Sequence, residues 1–139
     1  MIQFVAGAKG VGKTKKLIDM ANRSAKTTDG DIVFVDDDRR HIYDLHYDIR
    51  FVETGGYPLN DCGVFIGFIC GILSQNSDIK EIYADGLTNI IENVDNDSMA
   101  RLVDGLDLLS KDNGVDFIFS VNWEAEKLPE TVQALLIQI

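Results

Sequence analysis

Residues 7 to 14 read G-A-K-G-V-G-K-T, and this run constrains the fold more than any other part of the chain. Ahead of it, Ile2 to Ala6 is apolar, with β-branched and aromatic members, which predicts a buried strand. Behind it, Lys13 to Lys26 carries Leu17, Ile18, Ala21 and Ala25 at helical spacing. A strand that turns through glycines directly into a helix is suited to wrapping a phosphate. The glycines let backbone N–H groups point inward, and the helix presents its positive end to the anion. Lys13 would reach the outer phosphates, and the Thr14 hydroxyl would ligate Mg²⁺, which prefers oxygen donors. Gly7, Lys9, Gly10, Val11, Gly12, Lys13, Thr14 and Lys15 are therefore the expected nucleotide-binding set.

Downstream, strand and helix patterns alternate. Ile32 to Val35 predicts a second buried strand and Ile49 to Val52 a third, with a polar, aromatic stretch from Arg39 to Tyr47 between them. Leu59 to Leu73 reads as a helix that is apolar almost all round, the pattern of a helix in the core or one that covers a partner. Ile79 to Ala84 reads as a strand and Thr88 to Asn93 as a short helix. Asp97 to Ser110 is an amphipathic helix, capped by Asp95, Asn96 and Asp97 and stopped by Gly114. Val115 to Val121 predicts a strong strand, and Leu128-Pro129-Glu130 opens a last helix with Val132, Leu135 and Leu136 inward. This alternation predicts an α/β three-layer sandwich around a mostly parallel sheet, with residues 1–139 forming one nucleotide-binding domain.

Ligands of such sheets gather at the carboxyl ends of the strands. The polar residues there are the loop after Ala6, Asp36 after Val35, Asp85 after Ala84 and Asn122 after Val121. Asp85 suits a second metal-site element, an acid closing a hydrophobic strand, and Asp36 is its rival. The expected metal set is thus Thr14, Asp85 and Asp36, and the expected catalytic set is Lys13, Asp85 and Asn122, with Asn122 placed to orient a γ-phosphate or a water.

Charge narrows the ligand. The chain carries a net charge of -10, which argues against a nucleic-acid surface, while Lys9, Lys13, Lys15 and Lys16 make the loop locally basic. Cys62 and Cys70 lie in an apolar run with no histidine nearby and read as buried core thiols. The longest apolar stretch is too short to span a bilayer and no secretory leader is visible, so no membrane insertion and a cytoplasmic location are expected.

With these residues in view, the chain resembles the P-loop NTPase superfamily. The order of loop, Asp85 strand and Asn122 strand is similar to its RecA-like and AAA-type ATPase branch, in which another strand separates the loop strand from the metal-site strand. The chain also resembles small, uncharacterised bacterial ATP-binding proteins with a G-x-K-G-x-G-K-T loop and a later Y-x-D-G-L segment, here Tyr83 to Leu87. The resemblance implies ATP and Mg²⁺ as ligands and a slow or partner-stimulated ATPase, with an unidentified protein partner. One departure is plain: Gly86 follows Asp85 where that branch carries a water-polarising Glu, so a non-catalytic nucleotide sensor is the first alternative. A small-molecule kinase is the second, from Asp36 to Asp38 with Arg39 and Arg40 at a strand end, although no arginine-rich lid is present. No N-K-x-D guanine-reading motif occurs.

Overall fold

The computed structural model describes all residues from Met1 to Ile139. The chain runs β1 (Ile2–Ala6), α1 (Lys13–Ala25), β2 (Asp31–Asp36), β3 (Arg50–Glu53), α2 (Cys62–Ser74), β4 (Ile79–Ala84), α3 (Leu87–Ile90), α4 (Asn96–Asn113), β5 (Asp116–Val121) and α5 (Glu130–Gln133). Its five strands form one sheet in the order β1-β5-β4-β2-β3. Every pairing is parallel, so the sheet is parallel throughout rather than mostly so. All strand C-termini consequently lie along one edge, and Ala6, Asp36, Ala84 and Val121 open onto the same rim.

Alternation along the strands sorts side chains to two faces. Phe4, Val33, Val35, Ile82, Ala84, Phe117, Phe119 and Val121 face one way, against Phe65 and Ile69 of α2, Met99, Leu102 and Leu106 of α4, and Val132 of α5. Val5, Ile32, Phe34, Tyr83 and Ile118 face the other way, against Leu17, Ile18 and Ala21 of α1. The result is three layers, and strands buried on both faces read as the continuous apolar runs seen in the sequence. Each fully buried aromatic or aliphatic side chain contributes about 1.5–3 kcal/mol by leaving water.

Caps fix the ends of the longest helix. The Asp95 side chain accepts from Ser98 N–H while the Ser98 hydroxyl accepts from Asp95 N–H, and Gly114 ends the helix in the left-handed region at φ 65°. Against expectation, α3 stops at Ile90 rather than Asn93, and α4 runs on to Asn113. Two further helices differ in kind. Only Cys62, Phe65 and Ile69 of α2 are buried; Val64 and Cys70 are exposed, so α2 is a surface helix and Cys70 is not a core thiol. The last helix stops at Gln133, because the following chain pairs with the outer edge of β1 instead: Phe4 N–H donates to Leu135 O at 3.0 Å and Ile137 N–H to Phe4 O at 2.9 Å. That pairing satisfies backbone groups that would otherwise have stood unpaired along β1. No helix is long and apolar enough to cross a membrane.

Candidate functional site

β1 delivers the chain to the loop at Ala6, and glycines make the loop's path possible. Gly10 and Gly12 lie in the left-handed region, at φ 87° and 97°. Gly12 sits immediately before α1 and makes no side-chain cap, so the helix N-terminus is left bare. From Ala8 to Lys15 no backbone N–H donates to another protein atom; the first that does is Lys16, to Gly12 O at 3.1 Å. Bare N–H groups at the positive end of a helix form an anion cradle.

Lys13 reinforces the cradle. It is 5 % exposed, and its Nζ donates to Ala8 O at 2.7 Å, folding the side chain back over the loop. Burial lowers its pKa, the attraction of Asp85 opposes that, and Lys9 lowers it further.

β4 and β5 supply the acidic side. The Thr14 hydroxyl donates to Asp85 Oδ2 at 2.8 Å, and the Ser120 hydroxyl donates to Asp85 Oδ1 at 2.8 Å. Ser120 Oγ in turn accepts Gly86 N–H at 2.7 Å. Both carboxylate oxygens are held, and the turn after β4 is held with them. Gly86 adopts φ 71°, and a Cβ there would stand 3.0 Å from Asn89 Nδ2.

Asp36 approaches from β2 and is 3 % exposed. Burial is the largest cause that raises its pKa, followed by the hydrogen bond with Asp37 and the negative charge of Asp85; the carboxyl is pushed up to about 8. Asp36 Oδ1 accepts Asp37 N–H at 2.8 Å.

These groups meet in one cavity of about 380 Å³ with no hydrophobic lining residue. Lys9, Gly10, Gly12, Lys13, Thr14, Lys15, Asp36, Asp85 and Asn122 all line it, so the sites expected from sequence come together. Gly7 and Val11 do not line it; they shape the loop, since a Cβ at Gly7 would stand 2.9 Å from Val11 Cγ2. Lys15 also pairs with Asp19 at 2.9 Å on the exposed face of α1. Arg39 is turned away to Glu53, whereas Arg40 lines the cavity, its Nε bonded to Asp38.

Asp37, read from sequence only as part of the Asp36–Asp38 strand end, also lines the cavity. Sequence reasoning missed Ser120, His41 and Asn89. Ser120 had a signal: it is the one polar residue between Phe117 and Val121. His41 and Asn89 come to the cavity through loop and turn geometry that no periodicity encodes. The oxygen donors Thr14, Asp36 and Asp85, hard and grouped around one cavity, fit a magnesium ion. Comparison with protein-family models and with curated protein sequences finds no match to this chain.

Proposed function

We propose that this chain binds ATP with Mg²⁺ at the Gly7–Thr14 loop and is a slow or partner-stimulated ATPase whose nucleotide state drives a conformational change. One observation carries the reading: the loop whose N–H groups are bare lines the same cavity as the bonded Thr14–Asp85 pair, which Ser120 holds from beneath. A triphosphate would lie with its outer phosphates on the N–H groups and Lys13, and Asn122 would orient the terminal phosphate or a water. Thr14, Asp85 and Asp36 would hold Mg²⁺, which when bound draws charge from the bridging phosphate oxygens. The position of β5 between β1 and β4 supports the RecA-like and AAA-type comparison, because it separates the loop strand from the Asp85 strand. A cytoplasmic location and a protein partner are part of this proposal, while the net charge of -10 speaks against nucleic acid.

A second reading, a nucleotide sensor without turnover, is favoured by Gly86. Its left-handed backbone and the crowding by Asn89 leave no unstrained room for a side chain where a water-polarising Glu would be expected. Phosphate release from Mg²⁺-ATP by the purified protein, with Lys13→Ala as the control, separates the two. Release that vanishes in the variant supports the ATPase. ATP bound without release overturns the ATPase and leaves the sensor and the small-molecule kinase, which phosphoryl transfer to an added acceptor then separates.

A further inference from the structure

A free sheet edge and an uncharged helix face lie side by side, at the end of the sheet opposite β1. β3 pairs with β2 alone. Thr54 N–H donates inward, to Asp36 O at 2.8 Å, and alternation turns the backbone groups of Val52 and Arg50 the same way. The N–H and C=O groups of Phe51 and Glu53 therefore point out of the sheet. Beside this edge runs a groove of about 1060 Å³, lined among others by Val52, Glu53, Tyr57, Phe68, Gly71 and Ile72. Its far wall is α2, which has no charged residue from Cys62 to Ser74, and Val64 on that helix is 43 % exposed. The groove's charged residues are Arg39, Arg50 and Glu53, of both signs, so on a chain with a net charge of -10 this is a face where a second copy meets no excess of negative charge.

We propose that this face is a homodimer interface, in which β3 pairs antiparallel with β3 of a second copy about a two-fold axis through Val52. The register follows from hydrogen-bond parity. An antiparallel ladder joins residues that both turn their N–H and C=O groups toward the other strand. Phe51 must then face the partner's Glu53, and Glu53 the partner's Phe51, with Val52 opposite the partner's Val52. An axis through Phe51 or Glu53 would use fewer of these outward groups, and an axis between residues would set outward groups against inward ones. Val52 packs on the same side of the sheet as Phe68 and Ile72. The two Val52 side chains and the two α2 stripes of Val64, Phe68 and Ile72 then close one apolar seam. A single isologous contact covers both the open edge and the uncharged helix face.

The test is the mass of the purified full chain by light scattering and sedimentation equilibrium, at an ionic strength of about 150 mM to screen surface charge. The expected result is a concentration-dependent species of twice the 15.4 kDa chain mass. Val52→Lys sets two lysines face to face across the axis and should give monomer with an unchanged circular dichroism spectrum. Phe68→Glu, on a surface helix outside the sheet, should do the same and serves if Val52→Lys does not fold. Register is read by crosslinking in a Cys70→Ser background. Residues opposite each other without ladder hydrogen bonds have Cα atoms about 4.5 Å apart, within disulfide reach. Val52→Cys should therefore form a covalent dimer on mild oxidation, and Arg50→Cys, which faces the partner's Thr54, should not. A wild-type chain that stays monomeric up to hundreds of micromolar overturns the proposal. So does a dimer that both charge variants leave intact, or one that Val52→Cys fails to crosslink.

Discussion

Thr14 Oγ1 donates to Asp85 Oδ2 at 2.8 Å, joining the start of α1 to the end of β4 across 71 positions of sequence. The bond joins the anion cradle to the acidic group at the place where a nucleotide's metal would have to sit. If the proposed site is right, Asp85→Ala should remove most of the Mg²⁺ dependence of ATP binding. A loss of at least tenfold in Mg²⁺-dependent affinity, about 1.4 kcal/mol, is expected in a titration with and without the ion. Unchanged Mg²⁺ dependence would move the metal site to Asp36.

Ser120 holds the other Asp85 oxygen and the Gly86 N–H at once, and it is fully buried. Ser120→Ala leaves both partners unsatisfied in the interior, and a loss of about 1–3 kcal/mol of folding stability is expected. Urea denaturation measures it. A variant as stable as wild type would mean that the bridge contributes nothing to the fold.

Gly86→Ala tests the turn after β4. A residue with a Cβ at φ 71° is strained by roughly 1–2 kcal/mol, before any contact with Asn89 is counted. Lower stability by that amount is expected in the same denaturation assay, and Gly86→Glu should destabilise similarly without raising phosphate release. Neutral variants would show that this backbone does not require glycine.

Asp36 gives the fold a pH signature. Its carboxyl titrates at about 8 in the folded chain against 3.8 unexposed to the fold. Between those values the folded chain keeps a proton that the unfolded chain has lost, so stability from this group is full below the lower value and falls as pH rises toward the upper one. In metal-free buffer, wild type should be less stable at pH 8 than at pH 5, and Asp36→Asn should flatten that slope and exceed wild type at pH 8. Chemical denaturation at the two pH values checks this, and parallel slopes for both proteins would contradict it.

Much of the fold was legible because strands buried on both faces write themselves as apolar runs. Ile2–Ala6 and Ile79–Ala84 end where the pattern ends. The capped helix after Asp95 was legible for the same kind of local reason, although it continues to Asn113. Long-range demands were not legible. Leu135 and Leu136 carry a helical pattern, yet the edge of β1 draws them into strand pairing. Cys70 sits in an apolar run, yet it lies on the outer side of α2. At the site, the glycine loop and the strand-end acids could be read from residue type and position. His41, Asn89 and the Ser120 bridge depend on how separate strand ends converge, which one-dimensional spacing does not contain.

The most direct test of the central claim is calorimetric titration of Mg²⁺-ATP into the wild-type chain and into Lys13→Ala. Saturable binding by wild type is expected, weakened at least a hundredfold, about 2.7 kcal/mol, in a variant that keeps its fold. No binding by wild type, or binding that Lys13→Ala leaves unchanged, would contradict a nucleotide site at the Gly7–Thr14 loop.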